Sequence, residues 1–154
     1  MKLLVMSDSH GNKATVKSLV DRYADQVAAV IHLGDGASDA QLAALDHPGL
    51  PFHIVCGNCD FTRDLPRYED AVFGGKRLYL THGYSEHVKY ELLTLTLTAH
   101  EHGADAALFG HTHETLIDFD RGMLLFNPGS LGYYGSYGIL DVDDKGIVPH
   151  IYVL

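Results

Sequence analysis

No apolar run in the 154-residue chain approaches the roughly 18 residues that a membrane-spanning helix needs. That absence argues against a helical membrane protein and predicts no membrane partner. The N-terminus, MKLLVMSDSH, has one lysine followed by four apolar residues, too short for the apolar segment of a secretory signal. The expected location is the cytoplasm, with these first residues forming a strand. Basic residues are scarce: 11 Lys and Arg stand against 20 Asp and Glu, a formal charge of −9. Phosphate backbones and anionic lipid surfaces attract Lys and Arg, so a nonspecific nucleic-acid or membrane binder is disfavoured, and so is a long nucleic-acid polymer as substrate. A metal site that handles small anions stays open, because bound cations would cancel part of the carboxylate charge.

Cysteine occurs only twice, as Cys56 and Cys59 in CGNC. A redox pair, half of a zinc site and coincidence compete for this C-x-x-C. A structural zinc would need two more ligands, and no second C-x-x-C exists. Thioredoxin-like chemistry would want the pair to open a helix, whereas Asp60, Phe61 and soon Pro66 follow. Internal repeats, low-complexity tracts and long linkers are missing too. The 46% of hydrophobic residues, spread along the chain, argue for a globular fold over disorder, and residues 1–154 read as one domain with a sizeable core.

The first half alternates strand and helix patterns. KLLVM (2–6), VAAVIHL (27–33) and FHIVC (52–56) read as buried strands. Residues 12–25 carry Val16, Leu19, Val20 and Tyr23 at helical spacing, and 37–45 form a short helix. Such repeats predict parallel strands with right-handed crossovers. The second half changes style. Hairpins are expected to turn at Gly74-Gly75, near Arg121-Gly122 and around Asp144-Lys145-Gly146. A strand is expected over 104–110 and a helix over 88–102, although threonines alternating through 92–98 also suit a strand. The fold class that follows is mixed α/β, part α+β, with two mixed β-sheets packed face to face and helices outside.

Polar residues gather where the strands end. Asp8 and His10 follow the first strand, Asp35 the second, and Asn58 the third. RLYLTHG ends at His82, and AALFGHTH at His111 and His113. Strand ends of a parallel sheet share one edge, where sites are built. Taken singly, each has a plain reading: Asp8 as a helix cap, Asn58 as a turn residue, and the histidines as members of a set of 11. Five such loops, each with an O or N donor, are hard to obtain by chance. Seven donors exceed the four that one tetrahedral ion uses but suit two ions sharing Asp35. Mixed O/N donors favour Mn, Fe or Zn over Mg or Ca.

The series D-S-H, G-D, G-N-x-D, T-H-G and G-H-T-H over residues 8 to 113 resembles the calcineurin-like metallophosphoesterase superfamily. GNCD and the later NPGS (127–130) resemble its compact bacterial and archaeal phosphodiesterase branch. The resemblance implies a four-layer α-β-β-α sandwich of two mixed β-sheets flanked by helices. It implies two divalent transition-metal ions, Mn foremost with Ni, Fe or Zn as alternatives. Asp8, His10, Asp35 and His113 would hold one ion, and Asp35, Asn58, His82 and His111 the other. The catalytic set it implies is Asp8, Asp35, Asn58 and His82. The reaction expected is phosphodiester hydrolysis of a small phosphoester, with a metal-bridging water or hydroxide as nucleophile.

Many relatives carry histidine directly after the motif asparagine, where it helps protonate the leaving group; this chain has Cys59. A neutral thiol donates hydrogen bonds poorly, which points to better leaving groups or to acid catalysis by Asp60. Tyr84 replaces the histidine of the common THGH and is read as lying behind the ligands. Substrate contacts are expected from Cys59, Asp60, Arg63 and Ser130. Arg67 is read alongside Arg63, as a phosphate contact or an ordinary solvated arginine. Tyr133, Tyr134 and Tyr137 read as the lining of an aromatic pocket or as edge or subunit packing, the last preferred; a homo-oligomer would follow. The rival class is a metal-binding protein-interaction scaffold with little catalysis, like the retromer subunit that shares this fold. A scaffold can lose ligands freely, whereas here all seven stand.

Overall fold

The computed structural model describes residues 1–62 and 64–154. In β1 (Lys2–Met6), Leu3 and Val5 point one way, Leu4 and Met6 the other, and all four are fully buried. A strand covered on both faces must lie between two layers of packing. The same holds for β2 (Ala29–His32), with every residue buried, and for β6 (Ala106–Leu108) and β8 (Met123–Asn127). Continuous apolar runs in the sequence thus become the middle strands of two sheets.

The first sheet has the order β10-β9-β1-β2-β3. Its strands β1, β2 and β3 (Phe52–Ile54) are parallel, and β9 (Ser136–Asp143) and β10 (Gly146–Val153) add an antiparallel edge. The second sheet has the order β4-β5-β6-β8-β7, with β5, β6 and β8 parallel. Antiparallel β4 (Tyr68–Phe73) and β7 (Leu116–Asp120) close its two edges, and β5 spans Lys76–Thr81. Leu3, Val5 and Ile31 from the first sheet meet Leu78, Leu80, Leu108, Leu124 and Phe126 from the second in one buried cluster. Leu4, Met6 and Val30 pack outward on Val16, Leu19 and Val20 of α1 (Lys13–Tyr23) and Ala43 of α2 (Ala37–Leu45). Tyr79, Ala107 and Leu125 pack outward on Leu95 and Ala99 of α3 (Leu93–Glu101). The layers therefore run α-β-β-α, as expected. No helix among the described residues is long and apolar enough to cross a membrane.

The elements differ from the sequence reading in places, β2 and β6 being shorter than the expected 27–33 and 104–110. α3 begins at Leu93, not 88. His87 takes a left-handed φ of 57°, and the Glu91 carboxylate accepts bonds from Leu93 N–H and the Thr94 hydroxyl, which starts the helix there. Its threonines stay helical because buried Thr96 returns its hydroxyl to the Leu92 carbonyl, at 2.7 Å. β3 stops at Ile54. A short helix, α4 (Leu131–Tyr134), absent from the sequence reading, follows NPGS.

Candidate metal centre

Loops from both sheets converge on one edge of the sandwich. Asp8 N–H bonds the Gly34 carbonyl at 2.9 Å, and His10 N–H bonds the Asp35 carbonyl at 2.9 Å, tying the loops after β1 and β2. The second sheet joins them: His82 Nδ1 bonds the Leu33 carbonyl at 2.7 Å, and His111 N–H donates to Asp8 Oδ2 at 3.0 Å. The backbone is bent sharply to aim these side chains. Asp8, His10, Asp35, His111 and His113 all have positive φ, between 48° and 70°. Non-glycine residues held there cost about 1–3 kcal/mol each and persist where surrounding structure fixes them, typically at functional sites.

Two groups of donor atoms result, Asp8, His10 and His113 in one and Asp35, His82 and His111 in the other, with the atoms of each group within 4.8 Å of one another. In the first, Asp8 Oδ1 lies 3.2 Å from His113 Nε2 and 3.5 Å from His10 Nε2. In the second, His82 Nε2 lies 3.2 Å from both Asp35 Oδ2 and His111 Nδ1. The groups adjoin: Asp35 Oδ2 is 3.9 Å from His10, and Asp8 Oδ1 is 3.9 Å from His82. Asp8 Oδ2 accepts from the Ser7 hydroxyl and His111 N–H, but Oδ1 is buried and receives no hydrogen bond. A buried, unpartnered carboxylate oxygen facing imidazole nitrogens is unfavourable alone and suits a cation. The donor set, carboxylate plus neutral imidazole, fits a divalent transition metal.

Electrostatics agree. Burial opposes ionisation of Asp35, but the bond and charge of His82 and the Cys59 N–H outweigh it and hold this carboxyl well below the usual range. Burial also opposes charge on His82, and Asp35 and Asp8 overcome that to raise it. His111 is pushed down to about 4, first by burial and then by His82 and Lys89, so its ring is neutral and able to donate a lone pair. His82 donates its Nδ1–H to the Leu33 carbonyl, which leaves Nε2 as the atom facing Asp35.

The profile of the calcineurin-like phosphoesterase superfamily domain matches residues 1–145. The chain belongs to this superfamily. It is 32% identical over 157 residues to the probable metallophosphoesterase YsnB of Bacillus subtilis, covering 99% of this chain and 90% of the other. It is 26% identical over 175 residues to the phosphodiesterase YfcE of Escherichia coli, covering 96% and 91%. Wild-type Vps29 of Entamoeba histolytica, solved in complex with Zn²⁺, shares the fold at a TM-score of 0.80 and 19% identity, over 99% of this chain and 98% of that one.

Within this phosphoesterase frame, six of the seven residues expected as ligands come together in the two groups. Asn58 is exposed on the loop beyond β3, between two residues that touch Asp35. A Cβ on Gly57 would lie 2.2 Å from Asp35 Oδ1, so only glycine fits there, and Cys59 N–H donates to that same oxygen at 2.8 Å. Cys59 itself is exposed, and its thiol is pushed up by burial and by Asp35, which keeps it protonated; Cys56 is buried, and both thiols are free. A thiol held protonated has little nucleophilic character.

Two residues expected as substrate contacts have their polar atoms engaged within the protein. Asp60 accepts four backbone N–H groups, from Asp35, Gly36, Ala37 and Gly57, at 2.8–3.1 Å. Its oxygens are occupied in pinning the Asn58 loop to the Asp35 loop. Ser130 is fully buried; it caps α4 by accepting Tyr133 N–H and donates to the Asp8 carbonyl at 2.8 Å. Arg63 lies outside the described residues. Arg67 is exposed beyond the Asn58 loop. Tyr84 stands edge-on to His111, Tyr133 stacks on His113, Tyr134 is exposed, and Tyr137 is buried with its hydroxyl on Tyr23.

Several working residues escaped the sequence reading. His32 Nδ1 accepts Gly34 N–H at 3.1 Å, so Nε2 carries the proton and donates to Ser9 Oγ at 2.9 Å; Ser9 in turn donates to Asp39 at 2.7 Å. Burial lowers His32 to about 4, which keeps it neutral in this role. The chain of bonds fastens Ser9, between Asp8 and His10, to Gly34, next to Asp35. Asn127 does the same for the GHTH loop, donating to the Gly110 carbonyl and Thr112 Oγ1 while accepting Gly129 N–H. The one signal available was a histidine inside an apolar strand, AVIH.

Proposed function

We propose that the protein is a divalent-metal-dependent phosphodiesterase acting on a small phosphoester, with residues 1–154 as one catalytic domain. Asp8, His10, Asp35 and His113 would hold one ion, and Asp35, Asn58, His82 and His111 a second, with Mn²⁺ as the leading candidate over Ni, Fe and Zn. The observation that carries this reading is Asp8 Oδ1, buried and unpartnered between the imidazoles of His10 and His113, with a second donor group alongside. Bound ions supply positive charge to the phosphate and make water nucleophilic near neutral pH.

The chain's own residues do the rest. Asp35 reaches both donor groups and sets their separation. His82, fixed by Leu33, and the neutral ring of His111 face the centre. The strained loops are rigid before substrate arrives, so orientation is established in advance. Among the described residues, the hydrogen bonds and ion pairs of the seven proposed ligands involve no Lys or Arg side chain. A phosphodiester monoanion asks for less positive charge than a monoester dianion, which favours the diester. So does the likeness to a protein named a phosphodiesterase.

The test is hydrolysis of bis-p-nitrophenyl phosphate and p-nitrophenyl phosphate by metal-stripped protein, with Mn²⁺, Ni²⁺, Zn²⁺ or Mg²⁺ returned. Turnover of the diester that requires metal and is lost in Asp35→Asn is the expected result. The likeness to Vps29 supports the second reading, a metal-binding interaction scaffold. Metal bound without turnover of either ester would put the scaffold first.

A further inference from the structure

Two aromatic rings border the metal centre without belonging to it. The Tyr133 ring lies 5.1 Å from His113 at an interplanar angle of 26°, and 5.1 Å from His10 at 56°. Tyr84 meets His111 edge-on, at 5.6 Å and 88°. Both stay more than half exposed, Tyr133 at 65% and Tyr84 at 54%. Each ring therefore keeps much of its surface open beside the donor groups.

Tyr133 is the more firmly placed. Its N–H donates to Ser130 Oγ at 3.1 Å, and that hydroxyl donates to the Asp8 carbonyl at 2.8 Å. Gly132 N–H bonds the same carbonyl at 3.1 Å. A Cβ on Gly132 would sit 2.4 Å from the Ser9 carbonyl oxygen, so glycine is what lets α4 press against the Asp8–His10 loop. Backbone contact therefore fixes Tyr133 relative to His10 and His113, with one ring face on His113 and much of the ring open. Lys89 acts on the His111 side through its field, and among the described residues no bond from a Lys or Arg side chain reaches His10 or His113. On the His10–His113 side, the Tyr133 ring is a group placed to add affinity beyond the hold on phosphate.

We infer that Tyr133 is a specificity-determining residue, stacking on a nucleobase carried by one arm of the substrate. Resting on the phosphodiesterase reading above, this names the substrate class as a small nucleotide phosphodiester. The planar aromatic group common on biological phosphodiesters is a nucleobase, and the net charge of −9 disfavours a polymer. Stacking of a base on an aromatic side chain is worth a factor of about 5 to 100 in affinity.

Calorimetric binding of AMP and of ribose 5-phosphate to Mn²⁺-loaded protein isolates the base, since the two ligands differ only there. Wild type is expected to bind AMP about ten-fold more tightly than ribose 5-phosphate. Tyr133→Phe should keep that ratio, and Tyr133→Ala should bring it to about two or below. Equal affinities in wild type, a ratio that survives Tyr133→Ala, or no binding of either ligand overturns the proposal. Diester turnover, measured on the same samples, separates the two readings. Turnover without base preference removes the stacking role alone, and base preference without turnover keeps the stacking site while removing the hydrolytic reading.

Discussion

Asp35 faces both donor groups, 3.2 Å from His82 and 3.9 Å from His10, and Asp8 reaches across the other way, 3.9 Å from His82. Replacing Asp35 with Asn removes a charge that both proposed ions share, so Asp35→Asn should lower kcat/KM by more than about 100-fold. Cys59 contributes its backbone N–H to Asp35, which Cys59→Ala retains, and the side-chain loss should cost less than about 5-fold. Comparable losses in the two variants would revive thiol chemistry. His32 carries a different prediction. Its folded value of about 4 lies below the ordinary 6.5, so between these pH values the unfolded chain takes up a proton that the folded chain refuses. The stability this group supplies is complete above pH 6.5 and is lost as the pH falls toward 4, a change of the order of 3 kcal/mol. Urea unfolding at several pH values should give a slope in this window that is clearly smaller in His32→Asn, with His111, also held near 4, supplying part of the remainder. The same slope in both proteins would assign the acid lability elsewhere.

At the scale of elements, the strands were legible and the short pieces were not. Buried central strands announce themselves as unbroken apolar runs, and each proposed ligand sits one to five residues past such a strand. That is why the donor set could be read at all. α4 spans four residues, Leu131–Tyr134, too few for a period to show, and Ser130 at its cap looked like a residue available to substrate. The bonds of Asp60 were hidden from the sequence for a related reason. In sequence it is one more carboxylate beside Asn58; only the fold brings the N–H groups of residues 35–37 up to it. Asp60→Asn should therefore act on loop order, lowering stability by about 2 kcal/mol, or roughly 4–8 °C in melting temperature. The shape of its pH–rate profile should not change. Disappearance of an alkaline limb in Asp60→Asn would return it to the role of general acid.

Over the whole molecule, the donor atoms come from both sheets, so nothing holds the centre together except the sandwich itself. His82 and His111 follow β5 and β6, while Asp8, His10, Asp35 and Asn58 follow β1, β2 and β3. The global unfolding that separates the sheets also scatters the ligands, and a cation bound to the folded state alone must stabilise the entire fold by linkage. At a free Mn²⁺ concentration about 1,000 times its dissociation constant, that gain is about 4 kcal/mol, or on the order of 10 °C in melting temperature. The increment should disappear with a chelator and be strongly reduced in Asp35→Asn, whose own metal-free melting temperature should fall as well, because the carboxylate's charged contact with His82 and its bond from the Cys59 N–H are weakened. Screened surface pairs give no such signature: Asp21 is exposed and Asp120 and Asp141 are half-buried, their carboxyls are lowered by Lys17, His100 and Lys2 respectively, and their contribution is lost only as pH falls through values below the ordinary 3.8. A melting temperature at pH 7.5 that does not respond to Mn²⁺, Zn²⁺ or Ni²⁺ would mean that the six convergent side chains bind no ion of this class, whatever the loops around them resemble.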